Sequence, residues 1–135
     1  QMNKFTTVLT IKSDTKYLAP LRGWVASVAK IIGAERFPPR ALARITLALI
    51  EAVNNAIFHA HKGRAEAQIT IELAINEQEV VVEITDQGKG FILEVSEAPA
   101  LASHGRGLFL IRELMSEVEN ALCNSSHTLR MVYTL

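Results

Sequence analysis

"AQITIELAINEQEVVVEITD", residues 67–86, decides the fold. Residues 67–76 and 79–86 each alternate apolar with polar side chains, the pattern of a strand buried on one face. The connection "NEQE" is short and polar. Two such runs so close together read as an antiparallel hairpin, because a parallel pair needs a crossover of about a dozen residues or more.

Upstream, "FTTVLTI" (5–11) is β-rich and reads as a further strand. Ser13 or Asp14 can cap a helix after it, with Pro20 the awkward residue. That helix is expected from about Leu18 to Ile32, with Leu21, Val25, Val28 and Ile32 on one face and Gly33 as its stop. "RFPPR" cannot be helical, but Pro39 suits a first turn. A second helix is expected from Pro39 to about His61, with Leu42, Ile45, Leu49, Ala52, Val53 and Ala56 as its core stripe.

Downstream, residues 86–107 have no strong period and read as a lid or binding loop. "GLFLIRELMSEVE" (107–119) is an amphipathic helix, and "EVENALCN" with "HTLRMVYTL" forms a second hairpin. The order β-α-α-β-β-loop-α-β-β predicts an α+β domain over residues 1–135. It is a two-layer α/β sandwich with helices on one face of a mixed, mostly antiparallel sheet.

Composition agrees. The chain has 135 residues, 49% apolar and 21% charged, enough for one hydrophobic core. Its formal net charge of zero gives no nucleic-acid footprint. Cys123 is the single cysteine, so no internal disulfide forms; a small buried thiol in a reducing cytoplasm is expected. The N-terminus is too polar for a signal peptide. No apolar run is expected to approach the ~18 residues that a membrane span needs.

Three motifs carry chemistry. In "LIEAVNNAIFHA" (49–60), Glu51, Asn55 and His59 recur at i, i+4 and i+8 and share one flank, while Asn54 points elsewhere. The Asn55 amide oxygen is a hard ligand suited to Mg²⁺, and Glu51 suits a general base. His59 reads as a helix-end hydrogen bonder, His61 as a surface residue and His104 as a lid residue. In "ITDQGKGF", a strand delivers Asp86, a carboxylate able to accept from an exocyclic amine. Gly88 and Gly90 come next and permit close approach of the backbone. In "SHGRGLFLI", Gly105 and Gly107 precede a helix start whose free N–H groups and dipole suit phosphates. The spacing is neither a P-loop nor a dinucleotide fingerprint.

In this order, the three motifs resemble the N, G1 and G2 boxes of the GHKL (Bergerat-fold) ATPase superfamily. Within it the chain is most similar to the bacterial anti-sigma factor serine/threonine kinases, over about residues 5–135. The resemblance implies a Bergerat ATP-binding fold, with ATP and Mg²⁺ as cofactors. Asn55 would be the metal ligand and Glu51 the general base. Asp86 would recognise the adenine amine, and Gly88 and Gly90 would let the loop pass close to the nucleotide. Gly105, Arg106, Gly107 and Leu108 would wrap the phosphates. Thr128 would support the adenine pocket, although the family shows Gly-Thr where this chain has His127-Thr128, and the lid between Gly90 and Gly105 is short.

The implied partners are an anti-anti-sigma protein of the STAS type, phosphorylated on serine or threonine, and a sigma factor. A homodimer is expected, with Leu18, Arg22 and Trp24 on candidate contact elements. No direct nucleic-acid partner and no membrane partner are expected. Two alternatives remain: an ATP-binding interaction module without kinase activity, and the ATP-binding domain of a histidine kinase. The latter needs a phospho-acceptor helix pair, for which 135 residues are expected to leave no room; it gains weight if the chain is a fragment.

Overall fold

The computed structural model describes residues 4–60, 66–87, 103–123 and 126–135. The chain forms strand β1 (Phe5–Lys12), helices α1 (Leu18–Ile32) and α2 (Pro39–Asn55), and strands β2 (Gln68–Ile75) and β3 (Glu79–Asp86). Helix α3 (Ser103–Leu114) and strands β4 (Glu117–Cys123) and β5 (Ser126–Thr134) complete it. Among the described residues, five strands lie in the order β1-β2-β3-β5-β4. All four pairings are antiparallel, so the sheet is more uniform than the mixed one expected.

The hairpin forms where the alternation placed it. The Asn76 side-chain oxygen accepts from the backbone N–H groups of Gln78 (2.7 Å) and Glu79 (3.0 Å). This Asx turn reverses the chain without relying on glycine. Ile69, Ile71, Leu73 and Ile75 on β2, and Val80, Val82 and Ile84 on β3, are buried on the face toward the helices.

Helix α1 comes after a single 3₁₀ turn, Thr15–Tyr17, which Asp14 caps by accepting from the Lys16 N–H at 3.0 Å. Pro20 is tolerated because it lies in the first turn of α1, where N–H groups lack helical partners anyway. Leu21, Val25 and Val28 are buried as the spacing predicted, together with Ala29. Gly33 ends the helix at φ 101°, its N–H donating to the Ala29 carbonyl at 2.9 Å. Only glycine adopts that φ without strain.

Helix α2 begins with Pro39 in its first turn and buries Ile45, Ala48, Leu49, Ala52 and Val53. The segment Pro39–Phe58 is long and apolar enough, by length and composition, to cross a membrane, which corrects the expectation that no run approached that length. In the fold it is the central helix, and its apolar residues pack in the core with those of α1, α3 and the sheet.

Helix α3 starts at Ser103, earlier than expected, and ends at Leu114 rather than continuing to residue 119. The sheet captures the chain there. The Ser116 N–H donates to the Val132 carbonyl at 2.7 Å, and Ser116 Oγ accepts from the Thr134 N–H at 2.8 Å. Arg44 of α2 donates to the carbonyls of Glu113 (2.8 Å) and Leu114 (3.3 Å), placing a cation on the negative end of α3.

Candidate functional site

Glu51 and Asn55 lie one turn apart on α2, as their spacing required. Glu51 is half-buried, and so is Asn54. Asn55 is buried, with 6% of its surface exposed. The α-helical pitch ends at Asn55, and a π-type turn, Ala56–Ala60, continues the chain. Single π turns of this kind recur at functional sites. His59 falls in that turn; its side chain and His61 lie outside the described residues.

Asn55 meets α3 at Gly107. A Cβ built on Gly107 would sit 3.2 Å from Asn55 Nδ2 and 3.3 Å from Oδ1. The absence of a side chain at residue 107 is therefore what lets the Asn55 amide lie against the helix. Asn55 Nδ2 is buried without a hydrogen-bond partner among the described residues. A buried amide donor with no partner loses its hydration without compensation. It is suited to a polar ligand entering between α2 and α3.

The glycines of the third motif do not precede α3. Gly105 and Gly107 lie within its first two turns. The free N–H groups of the helix start therefore belong to the turn beginning at Ser103, and Gly107 contributes close packing. The Leu108 side chain is buried in the core. The side chains of His104 and Arg106, the residues Gly88 and Gly90, the lid between them and α3, and the Cys123 side chain lie outside the described residues.

Asp86 ends β3 facing the helices and is 1% exposed. Directly across from it on β5 stands His127. Its Nδ1 is 3.1 Å from Asp86 Oδ2, and its Nε2 is hydrogen-bonded to Asn120 Oδ1 on β4. Thr128 is not brought to Asp86. It pairs with Thr85, whose hydroxyl lies 3.0 Å from its own, on the opposite face of the sheet. His127, the residue before Thr128, is thus the one that faces Asp86. Neither His127 nor Asn120 stood out in the sequence as a partner of Asp86, because the pairing depends on strand register.

A buried strand-end carboxylate, a buried amide donor without a partner among the described residues and a glycine-bearing helix start lie where one sheet meets one helical layer, an arrangement suited to a polar ligand such as a nucleotide in a two-layer domain. The model of the histidine kinase-like ATPase domain family matches residues 11–133, and the chain belongs to that family. It is 32% identical over 128 residues to the serine-protein kinase RsbW of Listeria monocytogenes serovar 1/2a, covering 87% of this chain and 78% of the relative. It is 35% identical over 86 residues to the anti-sigma F factor of Bacillus thuringiensis, 58% of each chain. Among solved structures, the RsbU and RsbW domains of a Mycobacterium tuberculosis protein superpose with a TM-score of 0.67 at 16% identity. That match covers 96% of this chain and 31% of the other, and supports the fold.

Proposed function

We propose that this chain is an ATP-dependent serine/threonine protein kinase and anti-sigma factor. It phosphorylates a small anti-anti-sigma partner of the STAS type and sequesters a sigma factor. The observation that carries this reading is the buried Asn55 amide, held against side-chain-free Gly107 with Nδ2 unpartnered among the described residues. It joins the first and third motifs at one place. The kinship to a serine-protein kinase supports the reaction class.

The residues present fit a nucleotide and its metal. Asn55 offers a hard oxygen and an amide donor, and Asp86 offers a carboxylate for the adenine amine. Among the described residues no group of three His, Cys, Asp or Glu could hold a metal alone. Phosphate oxygens and water would complete the shell, as is usual for Mg²⁺. Bound there, Mg²⁺ supplies neutralisation of the phosphate charge.

Glu51, half-buried one turn before Asn55, orients the attacking hydroxyl and takes its proton. The hydroxyl oxygen bonds to the γ-phosphorus as the bond to the β–γ bridging oxygen breaks, and ADP leaves. In this reading Gly105, Arg106, Gly107 and Leu108 wrap the phosphates, and the role proposed for Gly88 and Gly90 is close approach to the nucleotide. Thr128 supports the adenine pocket from behind, through its hydroxyl contact with Thr85 next to Asp86. Phosphorylation adds about −1.5 to −2 charge to the partner, which weakens its docking and frees the kinase for sigma. The assembly proposed is a cytoplasmic homodimer. Leu18 and Trp24 pack partly on the core while Arg22 is exposed on the same helix.

The test is incubation with labelled ATP and the proteins encoded by neighbouring genes. Label on a partner serine or threonine is expected. Mg-ATP binding in calorimetry with no labelled partner would leave an interaction module without kinase activity. Absence of ATP binding would end the reading.

A further inference from the structure

On β2, β3 and β5 the face toward the helices is apolar almost throughout: Ile69 to Ile75, Val80 to Ile84, Leu129 and Met131. Among the described residues of those strands it turns polar at one place, where Asp86 and His127 face each other across β3 and β5. Both side chains are 2% exposed. Burying such a pair is costly, and apolar residues of similar volume are often no less stable. Folding alone therefore does not call for it.

The pair extends into a line. Asn120 on β4 holds one end of the His127 imidazole, and the other end holds Asp86 Oδ2. The terminal torsion of an aspartate is broad and poorly fixed by its own rotamer preferences. A hydrogen bond to one carboxylate oxygen fixes the plane of the group, and with it the direction of the other oxygen. Asn120 in turn limits rotation of the ring. Three strands thus set the orientation of one carboxylate.

We infer that His127, braced by Asn120, is the positioning residue for base selection: it aims the Asp86 carboxylate at the 6-position of a purine, favouring a 6-amino donor over a 6-oxo acceptor. This rests on the reading that Asp86 receives the adenine of ATP. His127 acts through Asp86 and does not itself touch the base.

The experiment measures, by calorimetry on the full chain with Mg²⁺, the affinities for ATP, GTP and purine riboside triphosphate, which lacks the 6-amino group. Wild type is expected to prefer ATP over the amine-free analogue by about tenfold or more, the worth of one charge-assisted hydrogen bond. In His127→Phe the preference should fall toward unity while the phosphate-driven affinity for the analogue persists. His127→Gln, which keeps a donor toward Asp86, should restore part of it. Thermal melting reports whether each variant is folded. Should His127→Phe fail to fold, Asn120→Ala decides, because Asn120 is an exposed residue of an edge strand; a reduced preference there supports the inference. An unchanged ATP preference in folded His127→Phe, or in Asn120→Ala where the former does not fold, overturns it and leaves the pair structural. A different result marks failure of the underlying reading: wild type binding no nucleotide, or Asp86→Ala keeping the full preference for ATP.

Discussion

Glu51 and Asn55 share one flank of α2 and divide the chemistry between them. Glu51→Ala should retain Mg-ATP binding and lose about 10²- to 10⁴-fold in transfer to the partner, read with labelled ATP. Transfer at the wild-type rate would remove Glu51 from the role of base. Asn55→Ala should abolish the Mg²⁺ dependence of ATP binding, read by calorimetry with and without the ion. Gly107→Ala places a methyl 3.2 Å from Asn55 Nδ2, tighter than most side-chain contacts. Asn55 must then give way by a few tenths of an ångström, and overpacking that it does not relieve costs about 1–3 kcal/mol. The affinity for Mg-ATP should fall along with stability, and an unchanged affinity would show that the Asn55 amide tolerates displacement.

Among elements, the helices were legible because their signals are local. The bounds of α1 matched because Gly33 and the apolar spacing act over a few residues. Gly33→Ala, forced to φ 101°, should lose about 1–2 kcal/mol, visible as a Tm lower by several degrees. Helix α3 was less legible at both ends. Its start at Ser103 lies in a segment without clear period, and its end is set by Ser116 joining Val132 and by Arg44, which arrives from α2. Arg44→Met keeps the aliphatic stem and removes the donors. A loss of about 1–2 kcal/mol is expected in denaturant unfolding. No loss would mean that the Arg44 contact to the end of α3 is energetically neutral.

At the scale of the whole molecule, one core joins the helical layer to the sheet. Leu49 sits fully buried on the central helix, so Leu49→Ala should cost about 2–5 kcal/mol in chemical denaturation. The outer face of the sheet is held differently. Thr10 pairs with Thr70, Thr85 with Thr128, and Arg130 lies 3.8 Å from both Glu83 and Glu119. Contacts of that kind contribute little each.

The sequence by itself determined the α+β class, the element order, the first hairpin and the flank that unites Glu51 with Asn55. Each arises from a period of two or 3.6 residues read within one segment. Only the tertiary structure decided that Gly107 meets Asn55, and that His127 rather than Thr128 faces Asp86. Adjacent residues of a strand point to opposite faces, so a choice between positions 127 and 128 is a choice of register. That register comes from pairing β5 with β3, whose paired residues lie 41 to 55 positions away in the chain. No local pattern contains it.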